Sequence, residues 1–312
     1  MQQARLTQSG FVLEQAEIPQ PGNDEVLVRT SACGVCGGDI HLYGERSSMD
    51  SAMLLGHEGG GVVVEVGSAV SGFAPGDRVT ALGGAYADYF VASAEDLVRI
   101  PAEIDASVAL GEPIACCVHA GDRFATKKGD RVAVVGCGFM GLICLQLAKL
   151  QGAGEILAID PVPYRREMAE RLGATASLAP ADVVIEDTSE GAFDLVVEAA
   201  GGQSAVDLCS DLVAHHGRIV LIGYHQSNNG QRSVNMQLWN YKAIDVINGH
   251  VRRDDEKREA MAKGIRLLEA GDLIVEPLVS LYALENVREA FNDFESQKDG
   301  LFKAVLIPGS DG

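Results

Sequence analysis

The sequence is poor in positive charge, and this shortage limits the partners that it can bind. Its 312 residues contain 25 Lys and Arg against 44 Asp and Glu, which gives a formal net charge of −19 at pH 7. Nucleic acids and anionic membranes bind proteins through basic side chains that neutralise their phosphates. We therefore expect neither a nucleic acid nor a membrane surface among its partners.

Long apolar runs are also missing. No uninterrupted apolar stretch approaches the ~18 residues of a membrane-spanning helix, and no basic segment precedes an apolar run near the N-terminus. The seven cysteines are odd in number and lack the regular spacing of a disulfide framework. We expect a soluble, cytoplasmic protein, and its length favours two domains.

The most informative stretch is residues 129–160, GDRVAVVGCGFMGLICLQLAKLQGAGEILAID. A short β-branched run precedes the glycines, an apolar segment of helical length follows them, and a second apolar run ends at Asp160. The pattern G-x-G-x-x-G between a strand and a helix is typical of dinucleotide binding. Gly136 permits the tight turn, Gly138 lets a pyrophosphate approach the backbone, and Gly141 lets the helix pack on the strand.

Asp160 favours NAD as the cofactor. It lies 24 residues after Gly136, close to the ~20 residues expected for an acid that binds the ribose. Its carboxylate can accept hydrogen bonds from both ribose hydroxyls and repels the 2′-phosphate of NADP. Arg165 and Arg166 follow closely and weaken this preference, because a guanidinium binds phosphate well. Arg165 can also stack on the adenine or reach the ribose.

The pattern of apolar runs predicts an α/β protein. Strands and helices alternate from 131 to 249, which indicates a parallel sheet with helices on both faces. We expect the last strand of that sheet at 241–249. The expected domains are a β-rich domain at 1–116 and 250–312 and a dinucleotide-binding domain at 117–249.

Cys36 and His57 are candidates for a metal site. Cys33-x-x-Cys36 has no second C-x-x-C with which to form a zinc ribbon, so we favour a mixed site of Cys36 and His57. Thiolate and imidazole are ligands that zinc prefers, and a catalytic zinc keeps one position open. Spacing alone leaves a second interpretation open, in which the two residues are buried and hold no metal.

The ordered motifs resemble the zinc-dependent medium-chain dehydrogenases, the superfamily of alcohol, sorbitol and threonine dehydrogenases. In chain order the motifs are GVCGGDIH (34–41), GHEGGGVVVEVG (56–67), FAPGDRV (73–79), GEPIACCVHA (111–120), VVGCGFMG (134–141), DLVVEAAGG (194–202) and GRIVLIG (217–223). The resemblance covers nearly the whole chain. It implies a GroES-like β-barrel catalytic domain and a Rossmann domain with a doubly wound parallel sheet.

The resemblance also implies roles for individual residues. Cys36 and His57 match the first two zinc ligands, and Glu112 stands where the family has its third ligand, a cysteine in alcohol dehydrogenases and a glutamate in many polyol dehydrogenases. Glu58 matches a glutamate that can coordinate the zinc transiently, and Asp39 matches a carboxylate that orients the histidine ligand. The alternatives are a helix N-terminal acid for Glu112 and an ordinary turn residue for Asp39.

Contacts to the cofactor are expected from a larger set of residues in the dinucleotide-binding domain. These residues are Gly136, Gly138, Phe139, Met140, Gly141, Asp160, Arg165, Ala199, Ile222, Gly223, Tyr224 and Ile247.

Two features depart from the family pattern. No cysteine lies between residues 37 and 115, so the four-cysteine lobe that binds a structural zinc is missing, and we expect one catalytic zinc per chain. Gly38 stands where many relatives have a Ser or Thr that relays the substrate proton, so that relay is broken or rerouted. His41 matches the outer histidine of the relay, which water or a substrate hydroxyl can reach; the alternative is a surface histidine.

These expectations combine into an NAD-dependent alcohol or polyol dehydrogenase. It would transfer a hydride between NAD and a small secondary alcohol or ketone of polyol, sugar or cyclitol type, a choice that depends on Glu112. The alternatives are a zinc-free, NADPH-dependent quinone or enone reductase of the same superfamily and a non-catalytic relative. Family members pair through the edge of the cofactor sheet, here around 225–249, so a homodimer or homotetramer is expected.

Overall fold

The computed structural model describes residues 1–309, which contain sixteen strands and eight α-helices. The strands are β1 (Gln2–Thr7), β2 (Gly10–Gln15), β3 (Glu25–Gly34), β4 (Met53–Leu54), β5 (Gly59–Val66), β6 (Arg78–Ala81), β7 (Tyr89–Ser93), β8 (Leu97–Arg99), β9 (Arg131–Val135), β10 (Glu155–Ile159), β11 (Ala176–Leu178), β12 (Phe193–Glu198), β13 (Val213–Leu221), β14 (Asp245–Asn248), β15 (Val279–Ala283) and β16 (Lys303–Ile307). The helices are α1 (Gly37–Gly44), α2 (Gly111–Phe124), α3 (Phe139–Leu150), α4 (Pro163–Leu172), α5 (Gln203–Leu212), α6 (Met236–Lys242), α7 (Asp254–Glu269) and α8 (Val287–Glu295).

The first compact unit is rich in β-strands and uses both ends of the chain. It comprises Met1–Ala115, Lys257–Gly271 and the chain from residue 275. Its larger sheet has the order β15-β16-β3-β5-β6-β8, with β7 also paired to β3, and its smaller sheet has the order β2-β1-β4. Every pairing except that of β15 with β16 is antiparallel. Valines of neighbouring strands, such as Val28 and Val63, fill one of its cores.

The second compact unit is built on a parallel sheet. It comprises Cys116–Glu256 and Asp272–Ile274. The six strands have the order β11-β10-β9-β12-β13-β14, and every pairing is parallel. Four consecutive apolar residues of β9, 132–135, are buried, as expected for a central strand covered on both faces. The strand order changes direction at β9, which confirms the doubly wound sheet and puts the expected ligand crevice at the carboxyl ends of its strands.

The turn after β9 depends on two glycines. Gly136 has φ +99°, in the left-handed region, and a Cβ there would lie 2.8 Å from the Ala200 backbone nitrogen. Gly141 lies in the first turn of α3, where a Cβ would come within 1.9 Å of the Gly136 carbonyl oxygen. These two close approaches allow α3 to begin directly against the end of β9.

Residues 241–249 do not form the single strand that the sequence predicts. The first part of this range belongs to α6, which begins where the Asn235 side chain accepts a hydrogen bond from the Leu238 N–H. Ala243 adopts a left-handed conformation, with φ 50°, and ends the helix. The remaining strand, β14, is therefore short.

The domain boundaries at 116 and 249 stay predictions; the two compact units divide at 115/116 and 256/257. Residues 310–312, the end of the predicted C-terminal segment, lie outside the described residues. Within residues 1–309, no helix has both the length and the apolar character to cross a membrane.

Gly141 and Gly138 offer a matched test of the turn after β9. Gly141→Ala places a methyl group against the Gly136 carbonyl, so we expect overpacking to reduce the free energy of unfolding by about 1–3 kcal/mol. A Cβ at Gly138 would meet no atom within 4 Å, so Gly138→Ala should keep the melting temperature and weaken dinucleotide binding. Thermal unfolding and cofactor titration measure both effects. Equal melting temperatures in the two variants would contradict the close packing at Gly141.

Candidate active site

Cys36 lies at the start of α1, two residues after the end of β3. It is the N-cap residue, and its Sγ accepts a hydrogen bond from the Gly38 N–H at 3.4 Å. The free N–H groups at a helix start favour a negatively charged sulfur. The side chain is half-buried, so the sulfur is held in place and still reachable.

The His57 imidazole lies beside the Asp39 carboxylate. Its Nδ1 lies 3.7 Å from one carboxylate oxygen of Asp39, and the other oxygen accepts a hydrogen bond from the Tyr86 hydroxyl at 2.5 Å. Asp39 is 3% exposed and Tyr86 is fully buried, so the carboxylate has a fixed position. A carboxylate at one ring nitrogen leaves the other, Nε2, available as a metal ligand.

Burial and neighbouring charges shift the pKa values of these groups. The hydrogen bond with Cys36 raises the pKa of His57 to about 9; desolvation opposes this shift and Asp39 adds to it. Burial raises the pKa of Asp39, which Tyr86 and His57 lower in part. Burial also raises the pKa of Glu112, and Glu58 raises it further. Such shifts are expected where several acids share one buried region.

Cys36, His57 and Glu58 bring three potential ligand atoms within 4.8 Å of one another; we call these residues the metal group. Glu58 is 1% exposed, and its Oε1 accepts a hydrogen bond from the Lys303 ammonium at 2.7 Å. Its Oε2 lies 2.6 Å from the same nitrogen, so both carboxylate oxygens pair with the ammonium. Glu112, in the first turn of α2, interacts electrostatically with His57 and Glu58 but is not a member of the group.

The metal group fits a zinc ion. Thiolate, imidazole and carboxylate are the usual protein ligands of zinc, and tetrahedral ligands at about 2.0–2.3 Å from the metal lie about 3.5 Å apart. Separations of up to 4.8 Å therefore need only a modest closure around the ion. Both oxygens of Glu58 already pair with the Lys303 ammonium, so the sulfur of Cys36 and the ring nitrogen of His57 are the donors that make the site suitable for zinc. The ligand roles of these residues and of Glu112 stay predictions.

Gly38 and His41 lie on α1, directly after Cys36. A Cβ at Gly38 would have only the Cys36 Sγ within 4 Å, at 3.8 Å, so a water or a substrate hydroxyl has room there. The His41 side chain is partly exposed, and its Nε2 lies 3.4 Å from a carboxylate oxygen of Glu45. The relay role of His41 stays a prediction.

The expected cofactor residues lie at the carboxyl ends of the parallel strands in the second unit. Asp160 follows β10, Ala199 follows β12, and Ile222, Gly223 and Tyr224 follow β13. The others are Gly136, Gly138, Phe139, Met140 and Gly141 around the turn after β9, Arg165 in α4, and Ile247 in β14. Parallel strands end at one edge of their sheet, which is where dinucleotides bind. The individual contacts to a cofactor stay predictions.

Asp160 is more buried than a carboxylate that is freely available to the ribose hydroxyls would be. It is 2% exposed, and its two oxygens accept hydrogen bonds from the N–H groups of Cys137 and Val162, each at 2.8 Å. Arg165 Nη1 lies 3.9 Å from Oδ2. The Asp160 carboxylate therefore has two effects: its hydrogen bonds stabilise the glycine turn, and its negative charge lies next to that turn.

Sequence reasoning missed Tyr86 and Lys303. Lys303 stands alone in the apolar run LFKAVLI (301–307), and a lysine within a buried strand indicates a buried partner. The sequence therefore indicates a buried partner for Lys303 but does not identify it as Glu58. Tyr86 carries no comparable signal.

Comparisons with known proteins show the family. Residues 22–102 match the alcohol dehydrogenase GroES-like domain and residues 140–269 match the zinc-binding dehydrogenase family. The sorbitol dehydrogenase of Halalkalibacterium halodurans is 31% identical over 336 residues, and the L-threonine 3-dehydrogenase of Bacillus velezensis is 28% identical over 342 residues; each alignment covers 96% of both chains. The structure of a zinc-binding dehydrogenase from Sinorhizobium meliloti, bound to NADP, has a TM-score of 0.87 and 28% identity, covering 98% of this chain and 99% of that chain.

The protein is thus an oxidoreductase of the alcohol dehydrogenase type. More specifically, the chain belongs to the zinc-dependent medium-chain dehydrogenase/reductase superfamily. The GroES-like and Rossmann domains implied by the sequence resemblance are confirmed.

The pH dependence of metal binding tests the surroundings of His57. Its pKa rises from 6.5 to about 9, so its proton stabilises the metal-free fold fully below pH 6.5, and this stabilisation is lost as the pH rises through about 9. Zinc must displace that proton. We therefore expect zinc affinity to rise at least about tenfold per pH unit up to about pH 9 and then level off.

Competition with a chromophoric chelator at a series of pH values measures this profile. Asp39→Asn removes a charge that raises the His57 pKa, so the profile should level off at lower pH. A zinc affinity that stays constant between neutral pH and pH 9 would contradict the assignment.

Proposed function

We propose that the protein is a zinc-dependent dehydrogenase that transfers a hydride between NAD and a secondary alcohol of polyol, sugar or cyclitol type. The observation that carries the proposal is the metal group, with three donor atoms within 4.8 Å of one another. The glycine turn after β9 in the second unit is the observation that supports a dinucleotide as the cofactor. When bound, zinc supplies a Lewis acid for the substrate oxygen and the nicotinamide supplies the hydride acceptor.

The chain's own residues hold and orient the zinc. Cys36 and His57 provide a thiolate and an imidazole, and Glu112 provides a further carboxylate from α2. Asp39 keeps the His57 ring turned so that Nε2 is free to coordinate. Tyr86 fixes Asp39 in turn, and a hydrogen bond to a charged group contributes about 1.5–3 kcal/mol.

The substrate proton leaves through α1 in this proposal. Gly38 has no hydroxyl, and the space beside it admits a water or a substrate hydroxyl. His41 is partly exposed and lies near the carboxylate of Glu45, so it can accept a proton and release it to solvent. Glu58 suits this role less well, because both of its oxygens lie against the Lys303 ammonium.

The polyol-type substrate is supported by the relatives and by the site. The names of the related proteins, sorbitol dehydrogenase and L-threonine 3-dehydrogenase, describe substrates in which a secondary alcohol adjoins another polar group. Glu112 replaces the cysteine of simple alcohol dehydrogenases. Gly38 has no side chain and leaves space beside Cys36, which we assign to a second polar group of such a substrate.

NAD is proposed over NADP because Asp160 places a negative charge at the end of β10. The NADP bound to the related Sinorhizobium meliloti protein and the positive charges of Arg165 and Arg166 oppose this choice. The preference therefore depends on the single charge of Asp160.

A homodimer or homotetramer in the cytoplasm is also proposed. β14 is an edge strand of the six-stranded sheet and pairs only with β13 among the described strands. Its free edge offers backbone groups to a second copy.

Replacing the thiolate ligand tests the metal site. Cys36→Ser should abolish zinc binding and turnover while leaving NADH binding largely unchanged, because a hydroxyl is a poor substitute for a zinc thiolate. The matched control is Cys33→Ser, a buried residue of β3 outside the metal group, which should retain zinc. Metal analysis, alcohol oxidation and NADH fluorescence measure the three properties. Wild-type turnover in Cys36→Ser would exclude the proposed role.

Removing the charge of Asp160 tests the cofactor preference. Asp160→Ala should narrow the difference in kcat/KM between NAD and NADP. Asp160→Asn should do the same with less loss of stability, because it keeps an oxygen for the Cys137 or Val162 N–H. Cofactor kinetics and melting temperatures separate the two effects. If neither variant changed the NAD to NADP ratio, Asp160 would not set the preference.

A further inference from the structure

The ion pair of Glu58 and Lys303 is built into the fold beside the metal group. Both side chains are almost fully buried, with exposures of 1% and 6%. Lys303 is the first residue of β16, and two residues later Val305 pairs with Gly34 of β3. The Gly34 N–H donates a hydrogen bond to the Glu58 carbonyl at 3.0 Å. The backbone therefore fixes both partners of the pair through Gly34.

The ion pair fills the space next to Gly34, where a side chain would otherwise lie. A Cβ at Gly34 would lie 2.0 Å from Glu58 Oε2 and 3.1 Å from Lys303 Cε. Gly34 is not among the glycines with positive φ, so the close approach of the ion pair explains the glycine, and backbone conformation does not. Any side chain at this position would displace the carboxylate from the ammonium.

Two cations compete for the Glu58 carboxylate. One of its oxygens lies within 4.8 Å of the ligand atoms of Cys36 and His57, where a metal would attract it. Both oxygens lie within 2.7 Å of the Lys303 ammonium, which also interacts electrostatically with Cys36 and Glu112. A carboxylate already paired with a buried ammonium gives up that pairing when it binds a metal.

We propose that Lys303 is a positioning residue that holds Glu58 out of the coordination shell of the zinc, so that one position stays open for the substrate. The inference rests on the zinc site proposed above. Without the charge of Lys303, Glu58 is a buried carboxylate without its counter-ion, and the metal is the cation within its reach. Glu58 then becomes a ligand, the metal is held more tightly, and the open position is lost.

Cobalt(II) in place of zinc tests this inference without an activity assay, because its visible d–d bands shift when an added ligand such as azide enters an open coordination position. The wild-type protein and Lys303→Arg, which keeps the charge, should show a thiolate charge-transfer band and d–d bands that shift when azide is added. In Lys303→Met, where Glu58 fills the open position, azide should no longer shift the bands, and cobalt should be released to a chelator roughly tenfold more slowly, within the range of effects from groups around a metal. Adding Glu58→Gln to Lys303→Met should restore both properties.

The outcomes separate this inference from the zinc site itself. A wild-type azide shift and a wild-type rate of cobalt release in Lys303→Met would overturn the role of Lys303 and leave the zinc site standing. A wild-type protein without a cobalt–thiolate band would overturn the zinc site and the inference with it. If Lys303→Met does not fold, Lys303→Gln decides, because it removes the charge and keeps a polar group: loss of the azide shift supports the inference, whereas a wild-type azide shift would overturn it.

Discussion

The burial of several acids in one small region is the constraint on which the first unit depends. An isolated carboxylate is costly to remove from water, so each buried acid needs hydrogen bonds or a nearby cation. Asp39 has the Tyr86 hydroxyl and the His57 ring, and Glu58 has the Lys303 ammonium. These contacts orient the donors of the metal group, and a divalent cation would offset the negative charge that remains.

In the second unit, backbone groups shape the candidate site, whereas in the first unit contacts between side chains do so. The tight approach of Gly141 to Gly136 sets α3 against β9, and the open space at Gly138 leaves the start of the helix accessible. Asp160 secures the same turn through the Cys137 N–H. The proposed function assigns the metal to the first unit and the dinucleotide to the second.

Features that depend on local spacing could be predicted from the sequence. The glycine turn and the parallel sheet follow from short patterns of glycine and apolar residues, and the candidate pair of Cys36 and His57 follows from residue type and order. The short helix α6 was missed because its start depends on a cap at Asn235, within a polar stretch that carries little periodicity. The contact of Lys303 with Glu58 joins residues 245 positions apart, and no local pattern encodes such a pairing.

The zinc content of the purified, unchelated protein tests the central claim most directly. The account predicts about one zinc per chain, bound at the metal group, with no second ion because the four-cysteine lobe is missing from the sequence. A folded protein that contains no zinc would contradict the account and favour the zinc-free reductase or the non-catalytic relative.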